Sequence, residues 1–516
     1  MKKRLYTMAM YLPQFHRVSE NEVWWGKGFT EWTTVKAAEK LYKGHNQPRV
    51  PLGNNYYDLL NKSTMEWQVA LASEYGIDGF CFYHYYFKSG KKILEKPIEN
   101  LLKWRDINIS YCFCWANQTW ARTWSNLWAA NSWSDKFEIR DENTSPILLE
   151  QAYGNRTDWK KHIEYLIPFF LDKRYIKIDN KPVFLVYVPE DISELTAMIE
   201  CWNDEVIRRG FDGIYVIGVN SIKLVPGLSA RLLQGPKAFQ HSTVAGMGTK
   251  NVWREGVQTF DYQECWDNAV NLEKPDLFRT YYGGFVDYDD TPRRGKAGLC
   301  AVGASPEKFE ENLYKLAVKN IVLKNQWLFI NAWNEWGESN YLEPDENNKY
   351  GYLEAVRNVM RKCNAEGLDA QREWSNIFPH GTRPNGITEI VKETNKYREF
   401  YKVLNNWLTL KEQGLKLEKY FMNCGYRRVL IYGMAELGKH LYEELRQSSL
   451  EVVGALDRRS GIVYKDIKFY EADGEIPECD IIVVTAISDY ETIRSTLVKR
   501  TEANIISLKD IINYML

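Results

Sequence analysis

Two carboxylates, Glu335 and Glu338, stand three positions apart in the stretch WLFINAWNEWGE, residues 327–338. On a helical turn or in a tight loop, that spacing lets both side chains face the same way. Cleaving or forming a glycosidic bond needs a proton donor at the leaving oxygen and a base or nucleophile across the ring, and two acids of unequal pKa supply both. The bland alternative is a pair of solvated loop charges or helix-cap partners. Trp333, Asn334 and Trp336 weigh against it, because indoles give a sugar ring a flat apolar wall and the amide gives it a polar anchor.

Positioning such a pair requires a rigid strand ahead of it. Residues 327–330 form an apolar run suited to a strand buried on both faces. Comparable runs occur at 5–12, 79–83, 107–115, 183–188, 213–219 and 278–282, and we expect a sixth strand near 237–240. Helical spacing occupies 64–75, 94–104, 158–171, 195–209, 306–322 and 352–363. About eight alternations of strand and helix predict an α/β fold, a (β/α)8 TIM-type barrel over residues 1–370.

In a barrel the strand ends converge on one mouth. The residues expected there are Tyr11, His84, Tyr85, Trp115, Asn117, Tyr187, Asn220 and Asp287. A long loop over 13–58, expected to be irregular, adds His16, Trp24, Trp25, Glu31 and His45. Trp120 and Trp124 are candidate stacking platforms, with core packing as the alternative. Asp289 and Arg293 follow Asp287; Arg293 and Arg294 are candidates for a substrate carboxylate or phosphate, with salt bridges to Asp287 or Asp289 as the alternative. His162, His241, His380 and His440 lack such context and read as surface or core residues.

Composition narrows the class. A net charge of −1 over 516 residues gives no general attraction to nucleic acid or anionic lipid. Nine scattered cysteines without a CxxC pair read as reduced thiols rather than zinc ligands or disulfides, and no metal is expected. The N-terminus MKKRLYTMAMYLPQF is too short and polar in its apolar part for a secretory signal, and no segment approaches about 20 apolar residues. A soluble, cytoplasmic protein is the expectation, with peripheral membrane contact left open and the oligomeric state unassigned.

Apolar periodicity fades over residues 371–425, which read as a partly helical connector. Residues 426–516 then form a small Rossmann-like α/β domain, with strands at 428–432, 451–456 and 480–485 and a helix at 439–445. Its GMAELG, residues 433–438, approximates GxGxxG with Ala435 at the middle position. Gly433, Gly438 and Asp457 are therefore candidate contacts for a nucleotide or nucleotide-sugar, against a structural or docking role.

Several ordered blocks also carry a family resemblance. YLPQFH (11–16), WWGKGFTEWTTV (24–35), GHNQP (44–48), GFCFYHYYF (79–87), CWANQTW (114–120), DYDDTPRR (287–294) and NAWNEWGESNYLEPD (331–345) resemble the WbsX-type proteins. These are glycosyltransferases of bacterial surface polysaccharide (O-antigen or capsule) assembly, similar in turn to the endo-α-mannosidase barrels of glycoside hydrolase family 99. The resemblance covers about residues 4–365. It implies that Glu335 deprotonates a sugar 2-hydroxyl as an epoxide-like intermediate forms, while Glu338 acts as general acid and then base, without metal. It also implies a mannoside-like glycan or lipid-linked oligosaccharide as substrate. One departure is Gln118, where the family commonly has an acid. An endo-acting α-glycoside hydrolase and a non-catalytic glycan-binding barrel are the rival expectations.

Overall fold

The computed structural model describes residues 4–121, 147–221, 225–240, 248–272, 278–365, 368–377, 385–458 and 463–516. It divides into two compact units, Met1–Arg383 and Pro384–Leu516.

The first unit is built on eight parallel strands: β1 (Tyr6–Tyr11), β2 (Gly79–Tyr86), β3 (Ser110–Trp115), β4 (Lys181–Val186), β5 (Tyr215–Val219), β6 (Ala230–Gln234), β7 (Thr280–Phe285) and β8 (Trp327–Asn331). Each pairs with its neighbours in sequence, and β1 pairs with both β2 and β8, so the sheet closes on itself. Most strand residues are buried, as a sheet enclosed by its own helices demands. Helices Lys62–Glu74, Lys96–Lys103, Arg156–Phe170, Leu195–Ile207, Tyr262–Asn271, Pro306–Val322 and Gly351–Asn364 form the outer layer.

Alternation along β2 decides which side chains reach the interior. His84 stacks on His162 and Tyr165 of helix Arg156–Phe170, so even positions here face the helices. Tyr83 and Tyr85 point the other way, where the charge of Glu335 acts on both hydroxyls.

Strand six is a correction. It lies at Ala230–Gln234, and Lys237–Gln240 is a short helix. Arg231 hides the strand's apolar signal; it is buried within the sheet with its Nε donating to Thr280 Oγ1 at 2.9 Å. Gly235 and Pro236 then end the strand. The loop over 13–58 also holds two short helices, Ser19–Trp25 and Glu31–Ala37. A three-stranded sheet of Asn251–Arg254, Val257–Asp261 and Leu299–Val302 lies outside the barrel sheet, and apolar pattern alone did not reveal it.

The second unit carries a five-stranded parallel sheet in the spatial order Phe469–Glu471, Glu451–Asp457, Arg428–Tyr432, Ile481–Val484, Asn504–Ser507. Its first strand is central and the chain winds outward in both directions, the doubly wound arrangement. Helices Asn385–Glu412 and Glu418–Asn423 precede it. Among the described residues, no helix is long and apolar enough to cross a membrane.

Candidate active site at the barrel mouth

Beyond β8 the chain makes a tight hairpin in which Asn334–Glu335 pairs antiparallel with Asn340–Tyr341. Trp336–Glu338 forms its 3-10 turn, and Ser339 takes a left-handed conformation (φ 50°) to close it. Asn334 holds the hairpin to the end of β1: its Oδ1 accepts from Leu12 N at 2.8 Å and its Nδ2 donates to Leu12 O at 3.1 Å. Trp336 is buried, stacked on Tyr341 with ring centres 3.7 Å apart.

The Trp336 Nε1 donates to Glu343 Oε2 at 2.7 Å, and Tyr57 OH (2.8 Å) and Gln68 Nε2 (2.7 Å) donate to the same carboxylate. Tyr11 OH in turn donates to Gln68 Oε1. Burial raises the Glu343 pKa to about 7, against the pull of these donors. Tyr11, Asn334 and Trp336, expected to touch substrate, are bonded here within the network that holds the hairpin.

Glu335 and Glu338 meet at one guanidinium. Arg293 donates from Nη2 to Glu335 Oε2 at 3.0 Å, from Nη1 to Glu338 Oε1 at 2.6 Å, and from Nε to Glu31 Oε1 at 2.6 Å. Gly337 makes room for this fork, because a Cβ there would run into Glu31 Oε1 and Arg293 Nε. Three acids against one cation leave negative charge in excess in a buried site. Burial and then the Glu338 charge lift Glu335 to about pKa 8, despite Arg293; burial also lifts Glu338. The two differ in access: the Glu338 side chain is 27% exposed and that of Glu335 8%.

Tyrosines surround the pair. Tyr83, Tyr85, Tyr187 and Tyr288 all lie within the electrostatic reach of Glu335 or Glu338. Lys237 also reaches the charge of Glu338, and its ammonium sits 5.5 Å from the Tyr187 ring centre. Sequence reasoning missed Tyr83, Tyr288 and Lys237. Alternation with Tyr85 would have found Tyr83, whereas Lys237 was hidden by its assignment to a strand.

A second buried layer supports this mouth. Asp289 Oδ2 accepts from His45 Nε2 (2.8 Å) and Gln47 Nε2 (2.7 Å), while its Oδ1 accepts from Thr291 N and Oγ1. Burial works to raise the Asp289 carboxyl, and these donors outweigh it, leaving the pKa below the ordinary value. Its backbone N–H donates to Glu338 O at 2.7 Å, so the layer is tied to the turn that carries Glu338. Asp287 pairs with Arg49 Nη2 at 2.7 Å. His45, Asp287 and Asp289 are thus engaged within the protein.

His45, Asp289 and Cys300 are close enough to suggest a metal site, with ligand atoms within 4.8 Å of one another. The histidine tautomer argues against it. Leu41 N–H donates to His45 Nδ1 at 3.1 Å, so Nε2 carries the proton given to Asp289 and has no lone pair for an ion.

Other expected residues lie apart from the acids' guanidinium. His84 Nε2 is 2.9 Å from His162 Nε2, and burial pulls the His84 pKa down to about 3. Trp115 turns to the helices, its Nε1 donating to Tyr86 O, beside a cavity of about 180 Å³. Asn117 bridges to Val188 N and O, and Asn220 Oδ1 accepts from Gln234 N. Trp24, Trp25, Phe29 and Trp120 belong to a separate buried aromatic cluster, which Tyr85 joins to the mouth. His16 is buried, which lowers its pKa. Trp124 lies outside the described residues.

In the second unit, Gly433 (φ 93°) opens the loop after the central strand, and Gly438 packs against Gly433 O, where a Cβ would clash. Asp457 Oδ2 accepts from Met434 N at 2.8 Å, and Thr485 Oγ1 donates to Gly433 O at 2.6 Å. Glu436 occupies the first turn of the following helix. Its Oε1 accepts from Lys439 Nζ at 3.1 Å, and Asp457 serves the loop backbone.

The family model described as Glycosyltransferase WbsX matches residues 7–356. An uncharacterized protein WxcX of Xanthomonas campestris pv. campestris (strain B100) is 32% identical over 366 residues, covering 69% of this chain and 50% of that protein. WxcX of strain ATCC 33913 is 31% identical over the same length. The chain therefore spans about half the length of the curated relatives it matches. Among solved structures, the GH99 endo-alpha-mannosidase of Bacteroides thetaiotaomicron is 13% identical with a TM-score of 0.40, over 69% of this chain and 98% of that one.

Proposed function

Because the chain belongs to the WbsX glycosyltransferase family, we propose that it makes or breaks a glycosidic bond, mannoside-like in kind, during bacterial surface polysaccharide assembly. The observation that carries this reading is the Arg293 fork, which holds Glu335 and Glu338 together in a buried, tyrosine-lined mouth. The substrate class is a glycan or lipid-linked oligosaccharide, stacked and hydrogen-bonded by the aromatic hydroxyls around the acids.

In this reading Glu335 takes the proton of a sugar hydroxyl and Glu338 exchanges a proton with the glycosidic oxygen. A carboxylate whose conjugate acid sits at about 8 is a far stronger base than an ordinary glutamate, which suits it to so weak an acid. Glu338, the more open of the two, is better placed to reach a leaving or attacking oxygen. Arg293 orients both oxygens and offsets charge as the proton moves.

The test is incubation of the full chain with nucleotide sugars and with mannose-containing oligosaccharides, following transfer and hydrolysis separately. Transfer without hydrolysis supports the transferase reading, and hydrolysis assigns an endo-acting glycosidase. Glu335→Gln and Glu338→Gln are each expected to lower turnover by about 10²–10⁴-fold while glycan binding persists. Turnover unchanged in both variants removes the catalytic assignment, and glycan binding without turnover in the parent leaves a binding barrel.

A further inference from the structure

We propose that the cavity between Arg49 and Arg254 is a binding site for an oxyanionic group, a phosphate or a carboxylate carried by the glycan substrate. The glycan part rests on the function proposed above; the anion part rests on the cavity itself. The cavity holds about 260 Å³, room for one substituent or one charged sugar rather than a chain.

Arg49 is the central observation. It is buried, yet of its three nitrogens only Nη2 has a partner, Asp287 at 2.7 Å; its Nε is fully enclosed and bonds to nothing among the described residues. A guanidinium presents five N–H donors, and buried donors are rarely left without an acceptor. The planar fork suits two oxygens of one phosphate or carboxylate.

The charges around the cavity point the same way. Lys43, Arg49 and Arg254 line it opposite Asp287 and Asp289. Both acids are already engaged: Asp287 by Arg49 and the Tyr288 N–H, Asp289 by His45, Gln47 and Thr291. Glu255, the acid beside Arg254, accepts from the Lys43 backbone N–H. Arg254 stands on the exposed hairpin strand Asn251–Arg254 and enters no ion pair among the described residues, so the cavity has cation to spare.

The site also touches the catalytic turn. Asp287 and Asp289 form one wall, and the Asp289 N–H donates to Glu338 O. An anion drawn to Arg49 would be anchored one short segment away from the reacting acids.

Binding is measured on the full chain by calorimetry and thermal shift, with inorganic phosphate and with glucuronate, at ionic strength held constant with sodium chloride. Saturable binding of either probe is expected, and the tighter probe identifies the group as phosphate or carboxylate. Arg254→Gln, on an exposed strand, should weaken it at least tenfold without lowering the melting temperature in chloride. Arg49→Lys, which keeps charge and loses the fork, should weaken it as well; if that variant does not fold, Arg254→Gln decides. No saturable binding beyond the chloride control overturns the proposal, as does unchanged binding in Arg254→Gln. None of these readouts needs turnover, so anion binding in a chain that processes no glycan counts against the proposed function and leaves the anion site standing.

Discussion

The barrel mouth and the loop after the central strand of the second unit start from the same local plan, a buried strand ending in polar residues, and finish differently. At the mouth, three carboxylates share one guanidinium, and burial leaves Glu335 near pKa 8. In the second unit the acid that could face a ribose, Asp457, accepts from the Met434 N–H, and Thr485 closes on Gly433 O. Polar groups whose demands exceed what the protein supplies make a reactive site, whereas groups satisfied by their own loop make a stable corner.

Removing Arg293 should break that contrast most severely. Arg293→Met leaves three buried acids without their cation and is expected to cost about 3–5 kcal/mol in urea unfolding at neutral pH, with partial recovery in acid as the carboxyls protonate. An unchanged midpoint would mean the fork does not hold in solution.

Truncating Glu343 tests the hairpin's support. Glu343→Ala strands the Trp336, Tyr57 and Gln68 donors and should destabilise the first unit by about 1–3 kcal/mol. It should lower kcat more than it raises KM, because the acids lose their alignment while the mouth remains. A pure stability loss with normal kcat would make Glu343 a core residue only.

The pH dependence sharpens the same comparison. Glu335 has its folded-state pKa raised, from 4.5 to about 8, so the native state binds the extra proton and Glu335's contribution to stability declines as pH rises through that window. Glu335→Gln should flatten this decline. As a base, Glu335 must first lose its proton, and as an acid Glu338 must keep one, so kcat/KM should climb as pH rises toward about 8 and fall again as Glu338 deprotonates. A profile without the rising limb would remove Glu335 as the base.

The smallest effect belongs to the second unit. Asp457→Asn should cost about 1 kcal/mol in the C-terminal transition and leave barrel activity untouched. Calorimetry with nucleotide sugars should show no heat from the second unit at millimolar concentration, and tight binding lost in Asp457→Asn would erase the distinction between the two loops.

Much of this was legible in the chain. Apolar runs of strand length placed seven of the eight barrel strands to within a few residues, since a strand buried on both faces leaves a continuous signal. The sixth escaped because Arg231 interrupts its run, although the sheet buries that side chain with its Nε donating to Thr280 Oγ1. Residue type and strand end also nominated His84 and Trp115, but one residue of alternation sent both to the helix side and Tyr83 and Tyr85 to the mouth.

What the sequence by itself determined is the barrel, the acids three positions apart, and the family, because these depend on local periodicity and on short runs of residues. Only the tertiary structure decided which polar residues meet. Arg293 joins Glu31, 262 positions away, to Glu335 and Glu338, and His45 reaches Asp289 across 244 positions. Such pairings follow from how a closed sheet brings distant loops to one end, and no spacing along the chain encodes them.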